Sequence, residues 1–167
     1  MKINKVKNLI VNVFAKHKLS RKHAIICAEA LVNAELVGAP SHGLARIISY
    51  CNRIKKKVIN PKPKIKIKKI SSSITQVDAD NAVGFIGANL GINQAIKNAK
   101  KTGIGFVAVK NSGHYGLSGY YAERAAKKGL VAFCFTNAPP AIAPHGAKKT
   151  LFGTNPICFG CPTGSKI

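Results

Sequence analysis

The sequence has very few acidic residues and no tryptophan. Only 5 of its 167 residues are Asp or Glu, against 27 Lys and Arg. The one close pair of acids, Asp78 and Asp80, falls at an apparent strand end. Hydrolysis by a pair of opposed carboxylic acids, as in glycosidases, is therefore disfavoured.

Long apolar runs are also missing. The best candidate, L-I-V-N-V-F-A near the amino terminus, is interrupted by Asn12 and followed by K-H-K without a small-residue cleavage site. It therefore does not resemble a secretory signal peptide. A membrane-spanning helix needs about 20 apolar residues. We expect no membrane partner and a reduced, cytoplasmic location.

Cysteines are few, odd in number and widely spaced. Five are present, whereas a secreted disulfide framework has an even set at short spacings. Cys158 and Cys161 form a C-x-x-C with no second pair for zinc, and His42, His114 and His145 share no ligand spacing with them. We expect no metal site, and we interpret the C-x-x-C as two small buried side chains.

The positive charge is large, but lysine carries most of it. The formal net charge of +22 raises nucleic acid or an anionic membrane as a partner. Recognition of phosphates and bases relies on guanidinium groups, and the only arginines are Arg21, Arg46, Arg53 and Arg124. The densest stretch, residues 55–69, alternates Lys with apolar residues and Pro, as a protected edge strand does. We favour the edge strand, and a basic nucleic-acid-binding module is the alternative.

The first third of the chain has helical periodicity. Apolar residues at i, i+3, i+4 and i+7 predict a helix over about residues 3–17. Ser20 is a suitable cap for a second helix, which ends at Gly38. Ser41 is placed to cap a third helix that runs to about Lys57.

The organisation changes after Pro61 and Pro63. The alternating stretches I-K-I-K-K-I and S-I-T-Q-V-D predict two short strands. Helical patterns then alternate with apolar strands. The helices are predicted over about residues 86–101 and 117–128, and the strands over residues 104–110, 130–137 and the end of 151–162. The strand over residues 104–110 is predicted to be buried. The predicted fold class is therefore α/β, with a helical segment over residues 1–60 and an α/β domain over residues 61–167.

Residues 41–50, S-H-G-L-A-R-I-I-S-Y, carry several reactive side chains. If they form one helix, His42, Arg46 and Tyr50 recur at i, i+4 and i+8 and share one stripe. A structural interpretation is that His42 and Tyr50 pack against a neighbouring domain while Arg46 is solvated. The pattern alone slightly favours that structural interpretation.

A glycine-rich loop follows the predicted strand over residues 104–110. It places Gly113, Gly116 and Gly119 around His114 before a helix begins. Ligands of α/β proteins gather at such carboxyl ends of strands, and free N–H groups at a helix start attract anions. A turn with a hydrogen-bonded histidine explains the same residues equally well.

A third candidate is the long loop over residues 136–156. Asn137 and Asn155 flank it at predicted strand ends, and its prolines lower the entropy lost on ordering. Gly, Asn and Pro are also ordinary turn residues, so G-T-N-P is consistent with a simple tight turn. Together, two histidines and one arginine in these contexts suit a small anionic substrate and proton transfer.

Five segments carry the most specific signal. They are S-H-G-L-A-R-I-I-S-Y, V-D-A-D-N-A-V-G-F, G-I-G-F-V-A-V-K-N-S-G-H-Y-G-L-S-G-Y-Y-A, T-N-A-P-P-A-I-A-P-H-G-A and F-G-T-N-P-I. In this order and spacing they resemble the malate/L-lactate dehydrogenase family of NAD(P)-dependent oxidoreductases. This family is distinct from the Rossmann-fold lactate and malate dehydrogenases, and the chain lacks their G-x-G-x-x-G.

The resemblance implies a reaction and roles for five residues. A hydride would pass between nicotinamide, as NAD or NADP, and a small 2-hydroxy, 2-oxo or imino carboxylic acid. His114 would handle the proton of the substrate oxygen, with His42 as the second candidate. Arg46 would hold the carboxylate in bidentate geometry, and Ser41 and Tyr50 would complete the substrate-binding wall.

The resemblance also implies a cofactor loop and a dimer. Ala138, Gly153, Thr154 and Asn155 match loop positions that approach the cofactor in the family. The active site of the family lies near a dimer interface, so we expect an intact form to be a homodimer.

Two departures from the family pattern qualify this expectation. The chain ends before a D-x-A-T-S-like segment that helps to bind the cofactor, and His145, Gly146 and Ala147 stand where the family has an aromatic residue and two glycines. We therefore expect a truncated form that binds NAD(P) poorly and exposes apolar surface. A non-catalytic remnant that pairs with a partner chain is a further alternative.

Overall fold

The computed structural model describes residues 2–164, and these residues form a mixed α/β fold that begins with helices. The helices are α1 (Ile3–Lys16), α2 (Arg21–Leu36), α3 (Ile47–Lys55), α4 (Gly84–Thr102) and α5 (Ser118–Ala126). The strands are β1 (Lys66–Lys69), β2 (Ile74–Ala82), β3 (Phe106–Ser112), β4 (Ala132–Phe135) and β5 (Ile157–Gly160). The predicted α/β class is confirmed. Residue 1 of the predicted helical segment and residues 165–167 of the predicted α/β domain lie outside the described residues.

The first two helices form as their local signals predict. The apolar stripe of α1 buries Ile10 and Phe14 against α2. Ser20 caps α2, because its hydroxyl accepts a 3.3 Å hydrogen bond from the His23 backbone N–H. After α2 the chain turns at Gly38, whose φ of +75° is a left-handed conformation that glycine adopts without steric cost.

The third predicted helix is wrong over its first part. Two 3₁₀ turns occupy residues 40–46, and the α-helix begins only at Ile47. Gly43 separates the turns with φ −97° and ψ −136°, outside the helical region. The Leu44 backbone N–H donates to the Glu35 carboxylate at 2.7 Å, so a contact from α2 replaces a helical hydrogen bond.

This difference changes how the candidate side chains are presented. Ser41 caps no helix, and its hydroxyl lies 3.0 Å from Nδ1 of His42 instead. Arg46 precedes α3, while Tyr50 belongs to it. The i, i+4, i+8 stripe is therefore not formed, and these side chains come from consecutive short elements.

One apolar core joins the helices to the end of β2 and the start of α4. Phe14 of α1, Leu31 of α2 and Phe85 of α4 are fully buried in it. Burying a side chain of this size contributes about 1.5–3 kcal/mol. The core therefore holds α3 against α2 and the start of α4.

Strands β1, β2 and β3 form one sheet in that order. β1 is antiparallel to β2, whereas β2 and β3 are parallel and connected by α4. The lysine-rich β1 is exposed along its length at the edge of the sheet, which confirms the edge-strand prediction for Lys66–Lys69. The loop after β3 begins beside the start of α4, because parallel strands place their carboxyl ends at one edge.

A second sheet pairs β4 with β5 and packs on α5. Its inner face contributes Ala132, Cys134 and Cys158 to a small apolar cluster. Its outer face presents four large apolar side chains that are 56–76 % exposed, namely Phe133, Phe135, Ile157 and Phe159.

Two predictions of burial are wrong for the described residues. β3 was predicted as a buried strand, but Phe106 is 50 % exposed and Val109 36 % exposed. Cys158 and Cys161 were predicted to be buried, but both are only partly buried. Val107 and Val109 contact α4, so Phe106 lies on the opposite face of β3, and Cys161 lies beyond the end of β5.

Candidate active site

The two early candidate segments meet at the ring of His114. Tyr50 is 3 % exposed, and its hydroxyl oxygen lies 2.7 Å from Nδ1 of His114, 64 residues further along the chain. The Gly116 backbone N–H donates a 3.3 Å hydrogen bond to the same nitrogen. The ring is therefore anchored through Nδ1, and within residues 2–164 Nε2 has no hydrogen-bond partner.

His42 and Arg46 lie beside this ring. The ring centroids of His42 and His114 are 5.7 Å apart, with an angle of 26° between the planes. Nε of Arg46 donates a 2.7 Å hydrogen bond to the Ser41 carbonyl oxygen, which folds the guanidinium back over the turn that carries His42. In the described chain the Nη groups of Arg46 make no hydrogen bond, so they are available to a ligand.

Positive charge and partial burial set the electrostatics of this cluster. Partial burial lowers the pKa of His114, and the charges of Arg46, His42 and Arg53 lower it further. Burial raises the pKa of Tyr50, against the opposing effect of Arg46. At neutral pH the cluster therefore holds a neutral imidazole and a neutral phenol in surroundings that attract an anion.

Glycine at two positions lets the His114 loop approach α4. A Cβ on Gly84 would overlap the Gly113 carbonyl oxygen and lie 2.5 Å from the His114 carbonyl carbon. A Cβ on Gly116 would overlap the ring of Phe85. The start of α4 therefore fits closely under the loop and fixes its position.

Two buried aromatic residues support the loop from below. Phe85 contacts the ring of Tyr50 edge-on, with centroids 5.2 Å apart at 61°. The Tyr121 hydroxyl donates a 2.8 Å hydrogen bond to the Tyr115 carbonyl oxygen. The sequence patterns did not indicate Phe85 or Tyr121 as site residues, although G-F at residues 84–85 lies in one of the five family-like segments.

Glu35 holds the turn that carries His42 and Arg46. Besides accepting from the Leu44 N–H at 2.7 Å, its carboxylate fills the space where a side chain at Gly43 would lie. The sequence patterns did not indicate Glu35 as a site residue. The only signal in the sequence was that Glu35 is one of very few acidic residues, and this does not reveal a contact with the following turn.

The predicted cofactor loop forms a second group. The Asn155 side-chain oxygen accepts a 2.8 Å hydrogen bond from the Ala138 backbone N–H. Gly153 packs so closely on the Ala138 carbonyl group that a Cβ would overlap it, and Thr154 is exposed. Within residues 2–164 no hydrogen bond or ring contact joins this group to His114.

The first group has the parts needed to bind a small carboxylate and exchange a proton. It combines an open guanidinium, an imidazole with a free Nε2 and a second imidazole beside it. No group of three or more potential metal ligands occurs in the described part of the chain. Over the same residues, no helix has the length and apolar character to span a membrane.

Known proteins resemble this chain over nearly its whole length. Residues 1–167 match the sequence profile of the malate/L-lactate dehydrogenase family. L-sulfolactate dehydrogenase of Methanocaldococcus jannaschii is 40 % identical over 153 residues, which cover 92 % of this chain and 44 % of that protein. Ureidoglycolate dehydrogenase (NAD(+)) of Escherichia coli O157:H7 is 34 % identical over 164 residues, 97 % of this chain and 47 % of the relative. (2R)-3-Sulfolactate dehydrogenase (NADP(+)) of Chromohalobacter salexigens is 38 % identical over 142 residues, which cover 85 % of this chain and 42 % of that protein.

A solved structure shows the same fold. Malate dehydrogenase from Pyrococcus horikoshii OT3 superposes with a TM-score of 0.93 and 37 % identity, over 99 % of this chain and 48 % of that one. The chain thus spans about half the length of the relatives it matches. It belongs to the malate/L-lactate dehydrogenase family and corresponds to the N-terminal half of that family's fold.

Proposed function

We propose that this chain provides the substrate-binding and proton-transfer part of an NAD(P)-dependent oxidoreductase acting on a small 2-hydroxy, 2-oxo or imino carboxylic acid. The contact that carries the proposal is the 2.7 Å hydrogen bond between Tyr50 and His114, because it draws the segment of His42 and Arg46 to the imidazole. Malate and sulfolactate, named for the relatives, both carry a carboxylate next to a hydroxyl-bearing carbon. Such a substrate matches an arginine beside a histidine.

Arg46 is the proposed carboxylate-binding residue. Its Nε is already bonded to the Ser41 carbonyl oxygen, which orients the guanidinium plane and leaves the Nη groups to donate to two carboxylate oxygens. A hydrogen bond to a charged group contributes about 1.5–3 kcal/mol. The Ser41 hydroxyl, exposed on the preceding 3₁₀ turn, is a second polar contact for the acid.

His114 is the proposed proton-transfer residue. In the direction of oxidation, the neutral ring accepts the proton of the substrate hydroxyl, and the hydride leaves the carbon that carries this hydroxyl. In reduction the protonated ring returns a proton to the carbonyl oxygen. The lowered pKa of His114 favours the neutral form at pH 7, and such acid–base catalysis contributes about 10²- to 10⁴-fold in rate. His42 is the second candidate, because its ring lies alongside at 5.7 Å.

NAD or NADP is the proposed cofactor, with contacts from the loop of Ala138, Gly153, Thr154 and Asn155. A bound nicotinamide supplies or accepts the hydride. The loop fits part of such a molecule. The side-chain oxygen of Asn155 accepts from the Ala138 N–H, while its amide NH₂ has no partner among residues 2–164, and the Thr154 hydroxyl is exposed. These groups suit a carboxamide or a ribose hydroxyl. The relatives named with a cofactor use NAD(+) in one case and NADP(+) in another.

The exposed face of the second sheet supports the proposal that full activity needs more of the family fold than this chain contains. Phe133, Phe135, Ile157 and Phe159 form one apolar surface on adjacent strands. Folded monomers rarely leave a large contiguous apolar patch in water. The relatives have about as much chain again, and we propose that this additional half covers the patch and is needed for full activity.

Hydride transfer tests the proposal. The chain, alone and joined to the remaining half of the Pyrococcus horikoshii relative, is mixed with NADH or NADPH and a panel of 2-oxo acids, and nicotinamide absorbance is followed. We expect turnover in the joined form that falls about 10²-fold or more in Arg46→Ala and His114→Ala. Arg21→Ala, an exposed arginine at the start of α2, is the control. No turnover in either form, or turnover unchanged by both substitutions, would contradict the assignment.

A further inference from the structure

The strands of the second sheet bring two cysteines opposite each other. Cys134 of β4 pairs in register with Cys158 of β5, and the two residues flank the long loop over residues 136–156. Directly opposed residues of antiparallel strands point to the same face of the sheet, with Cβ atoms about 4.5–5.5 Å apart. Both side chains are partly buried against the apolar cluster beside α5, and both are free thiols.

The hydrogen bonds of the sheet set the separation of these two cysteines. The Thr136 backbone N–H donates to the Pro156 carbonyl oxygen, so residues 136 and 156 form a hydrogen-bonded pair of the ladder. Such pairs recur at every second position and have Cα atoms about 5.5 Å apart, and Cys134 and Cys158 are the next one. A disulfide needs Cα atoms about 4.4–6.8 Å apart and Cβ atoms about 3.5–4.5 Å apart. The Cα separation therefore suits a disulfide, and the Cβ atoms must approach by about 1 Å.

The C-x-x-C motif does not provide the same opportunity. The chain from Cys158 to Cys161 runs through the extended residues of β5, which spans Ile157–Gly160. Because an extended chain advances about 3.3 Å per residue, the Cα atoms of Cys158 and Cys161 lie about 10 Å apart. This distance is too large for a disulfide. The fold thus pairs Cys158 with a cysteine from another strand and not with its neighbour in the motif.

A peroxide supplies a balanced route to the bond. Burial, and after it the Cys158 thiol, raise the pKa of Cys134 to about 11, so Cys134 is the poorer first nucleophile. Cys158 loses its proton and attacks one oxygen of hydrogen peroxide, which gives a sulfenic acid and one water. The Cys134 sulfur then displaces the hydroxyl group, which leaves with the Cys134 proton as a second water. The two thiols lose two electrons in total, and the peroxide accepts them.

We propose that Cys134 and Cys158 form a reversible disulfide that makes the loop over residues 136–156 sensitive to oxidants. The bond closes the base of this loop, which carries Ala138 and Asn155. Strained disulfides are the ones that thiols reduce readily, and this bond is strained because the strands must draw together to form it. The disulfide follows from the register of the sheet alone. Only its relevance to cofactor binding rests on the proposed function.

Peptide mapping of the full chain tests the proposal. The reduced protein is treated with hydrogen peroxide, the remaining thiols are alkylated, and tryptic peptides are identified by mass spectrometry. Lys148 and Lys149 place Cys134 and Cys158 on different peptides, so a disulfide between them joins the two. We expect this cross-link within monomeric protein, with the loss of two of the five thiols. Reduced glutathione should then restore both thiols.

Cys161→Ser is the matched control, because Cys161 lies on the same tryptic peptide as Cys158. The cross-link should persist in Cys161→Ser and disappear in Cys134→Ser. If Cys134→Ser does not fold, the comparison of wild type with Cys161→Ser still decides. A cross-link that Cys161→Ser abolishes, a bond within one peptide, a bond between two chains, or no loss of thiols in the folded protein overturns the proposal. If the cross-link forms but every form lacks hydride transfer, the proposed function fails while the disulfide stands.

Discussion

Replacing Gly84 by alanine tests the close packing that presents His114. Alanine is a better helix former than glycine by up to about 1 kcal/mol, so propensity alone predicts a more stable α4. In the structure, however, the new Cβ would lie 2.5 Å from the His114 carbonyl carbon. Two carbons in contact are about 3.5 Å apart or more, and the neighbour is backbone that cannot rotate away.

The loop must therefore move by about 1 Å to accept the Gly84→Ala side chain. Overpacking of this kind costs about 1–3 kcal/mol, so the variant should unfold at a lower urea concentration than the wild type. The same displacement would take the Tyr50 hydroxyl out of hydrogen-bonding distance of Nδ1 of His114, which is now 2.7 Å. The ring chemical shifts of His114 should change together with the stability.

Gly119→Ala is the control for this experiment. Gly119 lies in the first turn of α5, where an added Cβ meets nothing within 4 Å. Its replacement should leave the free energy of unfolding unchanged or raise it by up to about 1 kcal/mol. A Gly84→Ala variant as stable as the wild type, or an equal loss in Gly119→Ala, would refute the reasoning about the close approach of loop and helix.

Three further predictions follow from the cluster. Arg46→Lys should weaken binding of a 2-hydroxy acid by about 10-fold or more in an NMR titration, because an ammonium group cannot bind a carboxylate through a planar fork. Glu35→Gln should lower the free energy of unfolding in urea by about 1 kcal/mol, because the Leu44 N–H at 2.7 Å loses a charged acceptor. Acidification from about pH 7.5 to about pH 5 should also lower the free energy of unfolding. The pKa values of His114 and His23 are lower in the folded chain than in the unfolded chain. Below about pH 6.5 the unfolded chain therefore binds more protons than the folded chain, and acid favours unfolding.

Each of these predictions has a contrary outcome. Unchanged affinity in Arg46→Lys would show that the guanidinium fork is not used. Glu29→Gln, at an exposed acid of α2, is the control for Glu35→Gln, and equal stabilities of the two variants would show that the carboxylate does not hold the turn. A free energy of unfolding that stays constant or rises on acidification, or a slope that His114→Gln does not reduce, would contradict the direction of the pKa shifts.

Local signals predicted the helices α1 and α2 well. The stripe of α1 and the Ser20 cap of α2 act over a few residues, so the sequence contains the complete determinant. The turns over residues 40–46 were not predictable in this way. They depend on the Glu35 carboxylate, which lies nine positions before the N–H that it accepts, and tertiary contacts of this kind override helix propensity.

The residue types of the candidate site were predictable, but their arrangement was not. The family-like segments indicated His42, Arg46, Tyr50 and His114. Because α3 begins at Ile47 and not at residue 42, Tyr50 faces the core and meets His114 from below. In an α-helix each residue turns the side chain by about 100°, so the start of a helix decides which side chains face a ligand. The sequence pattern does not define that start.

We propose that one small acid contacts both Arg46 and His114. The most direct test is an NMR titration of the chain with malate, and with succinate, which has the same two carboxylates but no hydroxyl. We expect malate to shift the Arg46 guanidinium signals and the His114 Nε2 signal together and saturably, whereas succinate should shift the Arg46 signals alone. A His114 signal that ignores malate, or responds equally to both acids, would contradict it.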